Sequence, residues 1–108
     1  MCNLFASQDP ATYAAETRAL RLHGHCTSLR LEAAFWRILE RIAAAEGTTV
    51  ARFVTALQDE VLARRGEVGN LASLLRVACL HWLEHRDRLA IEVAARAAPA
   101  RTETDQAA

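Results

Sequence analysis

The stretch HCTSLRLEAAFWRILERIAAAEGTTV, from His25 to Val50, limits most tightly what this chain can fold into, because a period-two run gives way at once to a helical period. Thr27, Leu29 and Leu31 fall on one side of an extended strand, and Cys26, Ser28 and Arg30 on the other. The first set marks the core face. Glu32 then opens a helix in which Phe35, Trp36, Ile38, Leu39, Ile42 and Ala43 recur at helical spacing, and Gly47 suits the left-handed position that ends it. Thr48 or Thr49 can cap a second helix. Its apolar stripe is Val50, Phe53, Val54, Leu57, Val61 and Leu62, and Arg64-Arg65-Gly66 stops it.

One short strand followed by helices leaves backbone N–H and C=O groups without partners, so the strand needs a second strand beside it. On this reading there is one strand per chain, and a second copy supplies its neighbour. The segment RALRLH, Arg18 to His23, alternates weakly and is interrupted by Gly24, which fits either an irregular extension of the strand or a coil arm. Two chains joined through single strands make a ribbon with helices beneath it and an outer face that can enter the major groove of DNA.

After the polar break GEVGN a third helix is expected from Asn70 or Leu71, carrying Leu74, Leu75, Val77, Ala78, Leu80, Trp82 and Leu83. So wide an apolar face has to be buried. The expected organisation is a lead-in or arm over 1–17, a single domain over 18–98 that includes this added helix, and a disordered tail over 99–108. Asp9-Pro10 can start a short helix in the lead-in. The tail, PARTETDQAA, lacks large apolar residues.

With 52% hydrophobic residues, 108 residues are enough for one small core without metal or disulfide support. Thirteen basic residues balance thirteen acidic ones, so any nucleic-acid surface must be local and not a property of the whole chain. Every basic side chain apart from the histidines is arginine, whose planar fork matches a guanine edge or a phosphate. Three scattered cysteines do not form a disulfide framework, and no run approaches the roughly 20 apolar residues of a membrane span, so the expected setting is soluble and cytoplasmic.

The order of these elements resembles the ribbon-helix-helix family of bacterial repressors: an alternating strand, a helix, a glycine-containing turn, then a Ser/Thr-capped helix. The match runs from about Cys26 to Leu62, and TSLRLEAAFW followed by NLASLLRVACL is similar to a short subfamily with an added third helix. The resemblance implies a mostly α, intertwined homodimer that binds double-stranded DNA as a transcriptional regulator. It implies base readout by Cys26, Ser28 and Arg30, with phosphate held at Thr48, Thr49 and Val50. Chemically, Arg30 suits guanine and Ser28 suits several base edges, while Cys26 is a poor reader. Arg52, in the first turn of the second helix, can assist with phosphate.

Other chemistry is weaker. His23 and His25, or His81 and His85 four residues apart, are weak candidates for metal ligands, and neither pair makes a recognisable site, so no metal or other cofactor is expected. Cys79, between Ala78 and Leu80, reads as a small buried hydrophobe. Cys2 follows Met1 as an amino-terminal nucleophile would, but the base, oxyanion site and layered sheet of such enzymes are missing from the pattern, and no enzymatic activity is expected. The competing reading is a dimeric protein-interaction module of the same fold without DNA readout.

Overall fold

The computed structural model of the protein describes the backbone of residues 2–100 and the side chains of residues 3–88. Two short helices come first, α1 (Cys2–Ala6) and α2 (Pro10–Tyr13), the latter capped by Asp9 Oδ1, which accepts from Ala11 N–H at 3.0 Å. They lead into two strands, β1 (Ala15–Leu22) and β2 (His25–Glu32), which pair with each other as an antiparallel hairpin. Three longer helices follow: α3 (Ala33–Ala45), α4 (Val50–Arg65) and α5 (Leu71–Ala100). Beyond Ala100, the tail expected over 99–108 lies outside the described residues.

The hairpin corrects the expectation of one strand per chain. Residues 18–22 are neither arm nor irregular extension; they belong to a strand that also takes in Ala15–Thr17 and fills one hydrogen-bonding side of β2 from within the same chain. What reads in the sequence as an interruption at Gly24 is the turn itself. His23 and Gly24 have φ of 54° and 78°, the two consecutive positive values of a type I′ turn, whose twist matches that of the strands it joins. A histidine in this left-handed position is unusual. Here its ring is held from α4, His23 Nε2 lying 2.8 Å from Asp59 Oδ1.

The sheet divides by alternation. Leu22, Leu29 and Leu31 are buried on the helix side, where they meet Trp36, Leu39 and Ile42 of α3, Val54 of α4, and Leu75 and Cys79 of α5. Phe35, Phe53, Leu57 and Trp82 pack half-buried at the margin of this cluster. Trp36 joins strand to helix twice over: its indole N–H donates to the Glu16 carbonyl at 2.8 Å, and the Arg18 guanidinium lies 4.7 Å from the ring centre. Arg18 is held there by Glu40 and Glu16, at 2.8 and 2.6 Å, which together raise its pKa. Burial pushes the Cys79 thiol up to about 11, so it behaves as an apolar side chain at neutral pH.

The helix boundaries follow from local chemistry. Gly47 is left-handed just after α3, the Thr49 hydroxyl accepts from Arg52 N–H at 3.2 Å to cap α4, and Gly66 closes α4 in the left-handed region. Asn70 Oδ1 accepts from Ser73 N–H at 3.1 Å at the start of α5. Three residues expected in the core are not there: Leu62 is 50%, Val77 61% and Leu80 53% exposed, because Val54 on α4, and Leu75 and Cys79 on α5, take the inward face.

Where β2 meets α3, Glu32 Oε1 accepts from Arg76 Nε at 2.9 Å, fastening α5 to the sheet. The Arg76 hydrogen bond, aided by Glu32's own backbone N–H and the charge of Arg30, holds this carboxyl below the ordinary glutamate value. A depressed native value means that the contact stabilises the fold above the unfolded-state pKa of about 4.3 and that this contribution fades as pH falls through the native value. The stability difference between the wild type and Glu32→Gln is therefore expected to be largest near neutrality and to shrink in acid. Urea denaturation at a series of pH values measures it, and a difference independent of pH would contradict the assignment.

Candidate nucleic-acid interface

The face of the hairpin turned away from the helices is built by the register. Thr17 stands opposite Arg30, Ala19 opposite Ser28, and Arg21 opposite Cys26, and all six are exposed. Cys26, Ser28 and Arg30 thus share one open face, as their alternation requires. β1 adds three side chains that the sequence reading left out: Thr17, Ala19 and Arg21. The turn between the two strands is His23-Gly24, flanked by RALRL and HCTSLRLE, and His-Gly is a weaker mark of a hairpin than Asn-Gly or Asp-Gly.

The surface is chemically mixed. Arg30 and Arg21 lie near its two ends, four residues apart in register and hence roughly 13 Å at 3.3 Å per residue. Between them are small and hydroxylated side chains, which leave a partner free to approach the backbone. Among the described residues neither arginine forms an ion pair; Arg21 Nη1 donates instead to the Gly24 carbonyl at 3.0 Å. Glu32, the acid at the edge of this face, is occupied by Arg76.

At the amino end of α4, Phe53 N–H bonds the Thr49 carbonyl and Arg52 N–H bonds the Thr49 hydroxyl, so Val50 and Ala51 carry the first-turn N–H groups these two bonds do not use. Thr48 is different. It is half-buried and its N–H closes the α3–α4 turn on the Ala43 carbonyl at 2.9 Å, which commits its amide to the fold. Arg52 is exposed in the first turn. Arg21 and Arg52 line one open cleft between β1 and α4.

The histidines do not assemble. His23 faces Asp59, His25 lies opposite Leu22 at the hairpin end, and His81 and His85 stack with ring centres 5.9 Å apart on α5. Among the described residues no group of three His, Cys, Asp or Glu side chains is arranged to hold a metal ion. The side chain of Cys2 lies outside the described residues. No helix among them is long and apolar enough to cross a membrane.

Comparison with known proteins gives two findings. A family model described as "ribbon-helix-helix domain" matches residues 15–83, taking in both strands, α3, α4 and the first part of α5. The solved structure of an uncharacterized protein from Bordetella pertussis Tohama I is similar at 42% sequence identity and a TM-score of 0.76, over 82% of this chain and 70% of that one. Among curated proteins none matches.

Proposed function

This chain belongs to the ribbon-helix-helix domain family, whose members generally bind DNA as transcription regulators and are typically homodimeric, and from that premise we propose that it is a sequence-specific DNA-binding regulator. Two copies join through the side of β2 that β1 leaves unpaired, giving the strand order β1–β2–β2–β1 across a two-fold axis. The paired β2 strands form the ribbon that enters the major groove. Arg30 reads guanine O6 and N7, Ser28 reads a neighbouring edge, and Cys26 offers only weak contact. Thr49, Val50 and Arg52 hold a phosphate at the amino end of α4, where the free N–H groups and helix dipole favour an anion. Thr48 contributes to that turn through its backbone. No catalytic step or cofactor enters this reading, and the expected setting is the cytoplasm.

The observation that carries the proposal is the joint exposure of Ser28 and Arg30, with Arg21 and Thr17 beside them, on a face that the described amino-terminal helices leave open. The zero formal net charge favours the second reading, a dimer of the same fold that binds protein. Dimerisation does not follow from an unpaired strand, because β1 pairs with β2; it rests on the family and on β2's open side. Exposed Leu62, Val77 and Leu80 add apolar surface for a second copy to cover. Sedimentation equilibrium is expected to give about twice the 11.9 kDa chain mass, and a labelled duplex is expected to bind that dimer with strong salt dependence. A monomer at micromolar concentration refutes the dimer; a dimer indifferent to duplex DNA leaves the protein-binding reading in its place.

A further inference from the structure

We propose that Arg21, contributed by β1, grips the DNA backbone from the flank of the reading face, in the cleft it shares with Arg52. This rests on the dimer and groove placement proposed above. Neighbouring strands lie about 4.8 Å apart, so in a β1–β2–β2–β1 sheet the outer strands are separated by roughly 14 Å. The major groove is about 12 Å wide and admits two strands. The β2 pair therefore fills it, and each β1 lies over a groove wall, where outward side chains meet phosphate and sugar. Arg21 is the basic residue among the outward side chains of β1, which otherwise presents Ala15, Thr17 and Ala19.

The cleft is suited to that task. It has a volume of about 270 Å³ and is lined by Arg21 from the sheet and by Ala51, Arg52, Thr55, Ala56 and Asp59 from α4. Two arginines reach it from different elements. Ala51 and Ala56 are small enough to let a phosphate come close, and Asp59, the carboxylate in the lining, is already engaged at 2.8 Å by His23. The Thr55 hydroxyl donates to the Ala51 carbonyl at 2.8 Å, so the two guanidinium groups are the donors the cleft offers an anion. The bond from Arg21 to the Gly24 carbonyl fixes the guanidinium at the hairpin end, so less side-chain freedom is lost on binding. A backbone contact of this kind carries affinity and orientation without sequence information.

Salt-dependent binding of the dimer to a preferred and to a random duplex, with wild type, Arg21→Ala and Arg21→Lys, tests the assignment. Each phosphate contact contributes about 0.9 to the slope of log K against log salt, so loss of two Arg21 side chains per dimer is expected to reduce the slope by about 2. Both duplexes should be weakened alike, and Arg21→Lys should retain most of the slope. An unchanged slope in Arg21→Ala overturns the proposal, and so does a selective loss on the preferred duplex, which makes Arg21 a base reader. Titration of the free protein with inorganic pyrophosphate, followed through the amide resonances of Arg21, Ala51, Arg52 and Ala56, separates the two levels. Shifts focused on these residues support an anion-binding cleft even if no duplex binds, in which case the groove reading fails alone; no shifts, together with an unchanged slope, removes the cleft and leaves the groove reading standing.

Discussion

Replacing Trp36 by Ala is expected to cost about 3–5 kcal/mol of stability, the range for removing a fully buried aromatic side chain, and so to remove much of the roughly 5–15 kcal/mol that holds a small domain folded. Trp36 has no exposed surface and lies where β1, β2 and α3 converge. Truncation leaves a cavity beneath Leu29 and Leu31, strips the Glu16 carbonyl of its indole donor, and takes away the ring beneath the Arg18 guanidinium. Trp36→Phe separates these effects: it keeps much of the apolar volume and loses the hydrogen bond, for which about 0.5–1.5 kcal/mol is expected. Urea unfolding at one fixed protein concentration is the appropriate measurement, since the stability of the proposed dimer varies with concentration. A loss below about 1 kcal/mol in Trp36→Ala would mean that the hairpin is not anchored through this residue.

How much of this was legible in the sequence depends on the range of the interactions involved. The β2 alternation assigns its faces correctly, since Leu29 and Leu31 are buried while Ser28 and Arg30 are exposed, and a period-two pattern is a property of neighbouring residues. Gly47, Thr49 and Gly66 were readable for the same reason: a left-handed φ or a hydroxyl cap is decided within one turn of chain. β1 was not, because its alternation includes Glu16 and Arg18 on the core side. Arg18 is accommodated there by Glu40, 22 residues along the chain, and the Glu16 carbonyl by Trp36, 20 residues along. No local window contains those partners.

The site was affected more than the fold. With a histidine where Asn or Asp more often marks such a turn, Gly24 looks like a break in one strand, yet the register sets Arg21 opposite Cys26 on the exposed face. With β2 paired to β1 in its own chain, backbone hydrogen bonding alone does not require a dimer. On α5 the sequence shows a wide apolar face but does not say which part turns inward; Leu75 and Cys79 do, and Val77 and Leu80 remain exposed. That choice is made by contact with α3 and the sheet, which no periodicity within α5 encodes.

The second large effect is expected in recognition. Arg30 is exposed, is free of ion pairs among the described residues, and stands on the outer face of β2, so Arg30→Ala should leave folding and dimerisation intact while removing sequence preference. A bidentate arginine–guanine pair provides about 1–3 kcal/mol of discrimination, and a symmetric dimer makes the contact twice, so the loss is expected to be on the order of 2–6 kcal/mol. Selection from a pool of randomised duplexes, run in parallel with wild type and Arg30→Ala, tests the central claim most directly. The wild type should enrich a two-fold symmetric sequence with guanine at the Arg30 positions, and Arg30→Ala should bind duplexes with salt-dependent affinity but enrich no sequence. Enrichment of the same sequence by both proteins, or of none by the wild type, would contradict the claim that this ribbon reads DNA.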